Sequence, residues 1–426
     1  MSDRSVEHVT CLGCGCACDD ITVVVRTDRI AEARSACALG AAWFGDGQVP
    51  REIRGNGRKT SLEQAIGAAA QILKGATRPL VYVAADVSCE TQRGAIAVAD
   101  RLRAALDSLA ATAAPGILAA QCRGRAGATL GEIRQRADVI VFWGVDPAER
   151  YPRFSSRYAI DPRGLDAPAG RHSRTVIAVD VGQALGPADA DARVAVASDD
   201  EVEALAVMRA VIQGRISGDD SRFRPVADLA RRMAQGRYVA IVADAEPGPA
   251  SADPDRGEAL VTLAQALNGP TRCALSTLRA GGNRSGADAV FTWQTGFPFA
   301  VDFAPGHPTY RPHAGAGTLL GAGEVDAALV IGSPGSLPHE VAKGLASVST
   351  IVIGPRASAA TFQPAVAIDT GVAGIHEGGT AFRMDDVPLP LRPPLGGAGG
   401  GAGGAGRGGL PLATDVVHAL RERLGI

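Results

Sequence analysis

The sequence predicts an α/β protein built from doubly wound parallel sheets behind a small cysteine-bearing module, and three observations carry that prediction. Short apolar runs occur at residues 80–84, 138–144, 175–180, 238–243, 326–332 and 349–354, with helical spacing in between. Runs of this kind, alternating with helices, are the pattern of parallel strands covered on both faces. Each run ends in Gly, Asp or Ala before a loop, where open α/β sheets form ligand crevices. So many strands exceed one mononucleotide-binding half, so two α/β units are expected.

The first element is the module of residues 1–50, whose segment 21–30 reads as strand, turn and strand. Residues 60–74 have helical apolar spacing, 80–84 form a strand, a helix follows around 90–110, and 138–144 form the next strand. The expected domains are 51–235 and 236–395, one α/β unit each. Residues 396–409 are almost all glycine and alanine, cost too much backbone entropy to pack, and read as a linker. Residues 410–426 then read as a docking helix, capped by Thr414, with Val416, Val417, Leu420 and Leu424 on one face.

A chain of 426 residues is too long for one ordinary core, and 46% hydrophobic against 21% charged residues argues for a folded globular protein. A net charge of −2 provides no field for nucleic acid or a membrane surface, so neither partner is implied. Only Lys59, Lys74 and Lys343 are lysines among 43 basic residues, a bias typical of a GC-rich genome. No basic segment followed by an apolar stretch opens the chain, and no apolar run approaches the ~20 residues that span a bilayer, so a cytoplasmic location is expected.

Cys11, Cys14 and Cys18 form C-x2-C-x3-C, and Cys37 follows at a distance. Four thiolates in this pattern can enclose one [4Fe–4S] cubane. Gly13 and Gly15 would let the backbone wrap closely and turn amides toward sulfur. The same thiolates can hold a structural zinc, and a loop that no longer binds anything is the third reading. Cys16 is an extra thiol that could permute the ligand set. Cysteines crowded into one loop fit a reducing compartment better than a disulfide framework. Cys89, Cys122 and Cys273 stand apart and read as ordinary buried thiols.

Several separated segments carry a family resemblance. They are Cys11 to Ile21, Gly131-Glu-Ile-Arg-x-Arg136-Ala-Asp138, Trp143-Gly-x-Asp-Pro147, Pro152-Arg-x-x-Ser-Arg157-Tyr158, Trp293-Gln-Thr-Gly-Phe-Pro-Phe-Ala-Val-Asp302, Pro308-x-Tyr310-x-Pro312 and Glu377-Gly-Gly-Thr-Ala-Phe-Arg383-Met-Asp385. Together they run from residue 11 to about 395, and the chain resembles the metallopterin oxidoreductases of the formate dehydrogenase class, in detail the B subunit of formylmethanofuran dehydrogenase. The resemblance implies a formate dehydrogenase-like multidomain architecture. In that family the metal takes a cysteine or selenocysteine from a Val-Cys-His-Gly-Pro stretch before a Gln. Counting back from Gln121 places that ligand on Thr112, or on Ala113 if the register slips by one, and the histidine on alanine. A hydroxyl is a poor ligand for molybdenum or tungsten beside a soft thiolate, and alanine cannot relay a proton. Molybdopterin or tungstopterin is therefore expected to be absent, with no catalytic residue remaining.

The altered stretch is more similar to the B subunit of the formyltransferase/hydrolase complex of aerobic methylotrophic bacteria. That complex moves a formyl group from tetrahydromethanopterin to a furan-type carrier and hydrolyses it to formate. The likeness implies amidohydrolase-like, formyltransferase and C-type partner subunits, with the B subunit as a scaffold without redox chemistry. A working molybdenum or tungsten dehydrogenase and a [4Fe–4S] electron-transfer subunit are the competing readings.

Arg153, Arg157 and Arg383 suit phosphate forks, and the resemblance would make them, with Trp293, a vestigial pterin crevice. The blander reading has the arginines in internal salt bridges and Trp293 buried beside a turn. His307, His313, His339 and His376 lack metal-ligand spacing and read as surface or network residues. No G-x-G-x-x-G after a strand, no G-x4-G-K-[ST] and no G-x-S-x-G occurs, which leaves nucleotide hydrolysis and serine hydrolase chemistry unsupported.

Overall fold

Buried aliphatic runs alternating with amphipathic helices organise residues 4–248, 253–396 and 409–426, the part of the chain that the computed structural model describes. In chain order, β1 (Arg4–Val9), β2 (Ile21–Arg26), β3 (Arg29–Arg34) and α1 (Ala38–Phe44) make the N-terminal module. Next come β4 (Ile53–Gly55), β5 (Arg58–Lys59), α2 (Leu62–Gly75), β6 (Pro79–Val83), α3 (Cys89–Leu102) and β7 (Ala105–Ser108). Then follow α4 (Ala114–Arg123), α5 (Leu130–Arg136), β8 (Val139–Trp143), β9 (Thr175–Val181), β10 (Ala192–Val196), α6 (Glu201–Ile212) and α7 (Arg224–Ala234). After these are β11 (Tyr238–Asp244), α8 (Arg256–Leu267), β12 (Arg272–Leu278), α9 (Arg284–Thr295), β13 (Val301–Asp302), β14 (Thr309–Tyr310), α10 (Ala316–Gly321) and β15 (Ala327–Ile331). The chain closes with α11 (His339–Leu345), β16 (Ser349–Gly354), β17 (Val366–Asp369), β18 (Gly379–Phe382), β19 (Pro388–Leu391) and α12 (Ala413–Leu424).

The helix starts follow their capping chemistry. Ser61 and Gln64 form a reciprocal capping box at α2, and the hydroxyls of Ser88 and Thr129 accept the Thr91 and Glu132 amides of α3 and α5.

Two compact units result: residues Met1–Ala111 with Gly281–Ile426, and Thr112–Ala280. The consecutive division 51–235 and 236–395 is thus replaced by an insertion, because β6 pairs in parallel with β15, which lies far along the chain. The first unit's large sheet runs β14-β13-β7-β6-β15-β16-β17-β4-β5, parallel from β7 to β17. Alternation along the strands sends Val81, Leu106, Leu329 and Ile351 to the α2, α3, α9 and α12 face, and Leu80, Tyr82, Val330 and Val352 to the α10 and α11 face. The second unit's sheet runs β10-β9-β8-β11-β12, all parallel, packed by helices including α6, α7 and α8.

In each sheet the strand order reverses once, between β6 and β15 in one unit and between β8 and β11 in the other. Those are the switch points where doubly wound sheets present a crevice.

The six apolar runs are all strands, and of the two helices expected between 60 and 110 the second ends at Leu102, where β7 takes over the rest of its expected span. β7, β10, β12 and β17 were not expected; β10 exposes Arg193 and Ala195 and reads too polar for a buried run. The C-terminal helix is present, but Thr414 is its second residue rather than its cap, and Leu412 stands at the cap position. The linker expected at 396–409 lies outside the described residues except for its two ends. Among the described residues no helix is long and apolar enough to cross a membrane.

Candidate functional site

The β1–β2 connection holds the cysteine motif. The Cys11 amide donates to the Cys18 carbonyl (2.9 Å) and the Ala17 amide to the Cys14 carbonyl (3.1 Å), which curls residues 11–18 into a closed loop. Cys37 caps α1, its sulfur accepting the Gly40 amide at 3.4 Å, and the Gly13 amide donates to Cys11 Sγ at the same distance. A methyl group at Gly40 would lie 3.3 Å from Cys11 Sγ and 3.8 Å from Cys37 Sγ, so only a hydrogen fits between those sulfurs without crowding them. Burial pushes the Cys11 thiol up, the Gly13 amide opposes that, and the neighbouring Cys14, Cys18 and Cys37 add to it. The four motif sulfurs therefore share one neighbourhood. Cys14 and Cys37 are half-buried, whereas Cys16 is fully buried. Among the described residues no three His, Cys, Asp or Glu side chains are grouped as placed to hold a metal ion.

This loop sits on the switch point of its own unit. The Gly282 amide donates to the Leu12 carbonyl (2.9 Å), and the Asp86 amide, just past β6, donates to Gly282 O (3.1 Å). A side chain on Gly281 would strike the Leu12 carbonyl and come within 2.7 Å of Cys14 N, so glycine is required for that approach. Trp43 Nε1 donates to Asp86 Oδ1 (3.3 Å), and Ser333, just past β15, donates its hydroxyl to Asp86 Oδ2 (2.8 Å). Leu12, Ala17, Ala373, Ala381, Leu389 and Leu391 form a small apolar cluster beneath the loop, with Trp43 against it.

A turn beside the module carries two buried groups. Val372 N–H donates to His376 Nδ1 (3.1 Å), so Nε2 holds the proton and donates to Gly47 O (2.8 Å). Burial lowers the His376 pKa to about 4. Glu377 accepts the Ala413 amide (3.0 Å), the Thr414 amide (3.3 Å) and the Thr414 and Thr91 hydroxyls, and thereby caps α12 from outside the helix. Burial pushes its carboxyl up while those donors oppose the shift.

Thr112, the first residue of the other unit, lies in a 3-10 turn (Leu109–Ala113) that leads into α4, and Ala113 is buried. Thr112 donates its hydroxyl to Glu246 Oε2 (3.0 Å), while Glu246 Oε1 accepts the Ala280 amide (2.9 Å). A cavity of about 170 Å³ at the carboxyl ends of β11 and β12 is lined by Thr112, Asp244, Asp253, Arg256 and Thr277 among others. Asp244 accepts from Arg150 (2.7 Å) and the Tyr151 hydroxyl (3.1 Å); burial raises its carboxyl against those donors. Arg256 donates to the buried Glu201 (2.8 Å), which also takes Trp143 Nε1 (2.6 Å). Thr112, Asp244 and Arg256 of the lining are thus engaged by neighbours outside it. Drug-sized ligands need roughly 300–1,000 Å³, and a pterin dinucleotide is larger than most of them, so this cavity does not fit one.

The other expected residues are scattered. Arg153 stands in a turn and Arg157 in the short π-helix Ser155–Ala159 that follows it, with the Arg157 guanidinium 5.0 Å over the Tyr158 ring. Arg383 forks onto Asp385 (2.6 and 2.8 Å), the salt-bridge alternative to a phosphate grip. Trp293 is 65% exposed on α9 and meets Phe382 edge to face at 5.6 Å, so it is not a buried tryptophan beside a turn. Cys89 and Cys273 are buried, with thiols pushed up to about 12, but Cys122 is exposed. His307, His313 and His339 are exposed and His376 is a network residue. Trp43, Asp86, Glu246 and Glu201 were missed, because each acts through a partner distant in sequence; Glu377 stands in one of the family segments, but nothing local marks it as a cap.

No family model matches the chain. It is 34% identical over 411 residues to the B subunit of the tungsten-containing formylmethanofuran dehydrogenase 2 of Methanocaldococcus jannaschii, covering 91% of this chain and 93% of that one. The protein of the same description from Methanococcus maripaludis is 29% identical over 407 residues, with the same shares covered. Among solved structures, a chain of the formyltransferase/hydrolase complex (FhcABCD) from Methylorubrum extorquens, crystallised with methylofuran, superposes with a TM-score of 0.69 at 26% identity, covering 87% of this chain and 98% of that chain.

Proposed function

We propose, from the premise that this chain belongs to the family of formylmethanofuran dehydrogenase B subunits, that it is the redox-silent structural B subunit of a formyltransferase/hydrolase complex. The complex would release formate from a formyl carrier in tetrahydromethanopterin-linked one-carbon oxidation, in the cytoplasm of a methylotroph. Its catalytic work would fall to amidohydrolase-like and formyltransferase subunits, joined by a C-type subunit. The observation that carries this reading is Thr112. At the expected thiolate position stands a hydroxyl already engaged by Glu246, and neither Thr112 nor the buried Ala113 offers the soft anionic ligand that molybdenum or tungsten prefers.

The cysteine motif supports a second, separate component. Four neighbouring thiols, two amide-to-sulfur bonds and a glycine between Cys11 and Cys37 fit the ligand frame of a [4Fe–4S] cluster. Bound, the cluster would supply one-electron capacity or a structural staple; Cys11, Cys14, Cys18 and Cys37 would hold it.

Metal analysis of the complex purified without oxygen from its native source tests both parts. The expected result is no molybdenum or tungsten, with about four irons per chain, as one cubane holds. One equivalent of either heavy metal overturns the redox-silent reading, and iron-free protein overturns the cluster.

A further inference from the structure

We propose that Asp86, acting through Trp43, is a positioning residue that seats the cysteine loop on the crevice between β6 and β15. That crevice is where a doubly wound sheet would take a ligand. Here Gly282 lies against Ala85 and Asp86 at the end of β6, and the cysteine loop is bonded to Gly282. Asp86 stands at φ +66°, a backbone conformation that carboxylate and carboxamide residues tolerate better than most. Its amide donates to Gly282 O, Gly282 in turn donates to Leu12 O, and its carbonyl accepts the Ala373 amide (3.3 Å). The backbone of Asp86 is therefore the middle rung of a ladder that ends on the residue between Cys11 and Gly13.

The side chain completes the seat. Its two oxygens take separate donors, Trp43 Nε1 from the helix that Cys37 caps and the Ser333 hydroxyl from the far side of the crevice. The Trp43 side chain runs between two glycines: a methyl at Gly13 would lie 3.2 Å from Trp43 Cβ, and one at Gly374 3.2 Å from the far edge of the ring. Trp43 thus spans from the C-x2-C turn to the floor beneath the loop, and Asp86 fixes its tilt. Both segments that carry thiols are thus tied to one residue, residues 11–18 through the backbone of Asp86 and Gly282 and the helix that Cys37 caps through the Asp86 carboxylate.

Asp86→Asn keeps size and left-handed tolerance but leaves one acceptor oxygen for two donors. In the full chain, labelling of each cysteine by N-ethylmaleimide is followed by mass spectrometry. Loss of the seat should speed modification of Cys14 and Cys37 about fivefold, the population shift that one lost hydrogen bond produces, while Cys89 and Cys273 stay protected. Unchanged labelling of Cys14 and Cys37 overturns the proposal. If Cys89, in the same unit, also opens, the variant has destabilised that unit as a whole, and Trp43→Phe, which keeps an aromatic ring and removes the N–H, decides by the same criterion. The consequence for iron rests on the cluster reading: after anaerobic reconstitution with iron and sulfide, Asp86→Asn should lose iron to a chelator faster than the unaltered chain. An unaltered chain that takes up no iron defeats the cluster reading alone, since the labelling still decides the seat.

Discussion

The Thr112 hydroxyl lies 3.0 Å from Glu246 Oε2, and the other oxygen of that buried carboxylate accepts the Ala280 amide. The position at which the family resemblance puts a thiolate ligand is thus built into a local hydrogen-bond network. Thr112→Val, nearly the same volume without the hydroxyl, removes a donor from Glu246 and should lower stability by about 1–3 kcal/mol. The denaturant midpoint measures this; a shift within error would mean the pairing contributes nothing. Thr112→Cys should restore a thiol without restoring bound molybdenum or tungsten, because the adjoining cavity of about 170 Å³ does not fit a pterin dinucleotide.

His376 predicts an acid-sensitive fold. Its folded pKa of about 4 lies below the ordinary 6.5, so the unfolded chain binds the extra proton between those values and stability falls as pH falls through that window. A shift of this size is worth at most about 3 kcal/mol, fully present above pH ~6.5 and lost near pH ~4. Unfolding curves across this range should be steeper in pH for the unaltered chain than for His376→Gln. Parallel curves would remove His376 from the account.

Glu377 holds the start of the last helix through the Ala413 and Thr414 amides. Replacing Glu377 with Gln keeps the shape but swaps one acceptor oxygen for a donor facing donors. Hydrogen exchange of residues 413–424 should then accelerate relative to α2 and α3, with a cost of about 1–3 kcal/mol.

Packing beneath the same helix gives a coupled prediction. A methyl on Gly94 in α3 would stand 2.7 Å from Val417 Cγ1, and overpacking of this kind costs about 1–3 kcal/mol. Gly94→Ala should destabilise the chain by that amount alone, and much less when combined with Val417→Ala. Additive losses would show that the two residues do not meet as described.

Gly40→Ala probes the thiol site without touching a cysteine. Its methyl would press on Cys11 Sγ at 3.3 Å, so reconstituted iron should be lost faster than from the unaltered chain while the melting temperature of the apo chain changes little. Equal iron retention would argue that the two sulfurs are not neighbours.

Local chemistry made much of the protein legible in its sequence. Continuous aliphatic runs such as 138–144 and 349–354 are strands because they are buried on both faces, and apolar spacing marks α2, α3 and α12 because one stripe must face a core. The thiol quartet was visible as spacing alone, whereas the absence of a cysteine at Thr112 and Ala113 acquired meaning only through the family resemblance. What only the tertiary structure decided is how distant segments meet. The insertion of Thr112–Ala280 between two parts of one unit depends on β6 pairing with the distant β15 on the edge that β7 leaves open. The seat of the cysteine loop depends on Trp43, Asp86, Gly282 and Ser333 arriving at one switch point. Likewise Glu377 caps a helix that begins 36 residues later, and Thr112 finds Glu246 at a separation of 134. Periodicity and spacing are properties of neighbours along the chain, whereas the role of a buried carboxylate is set by whichever donors the completed fold brings to it.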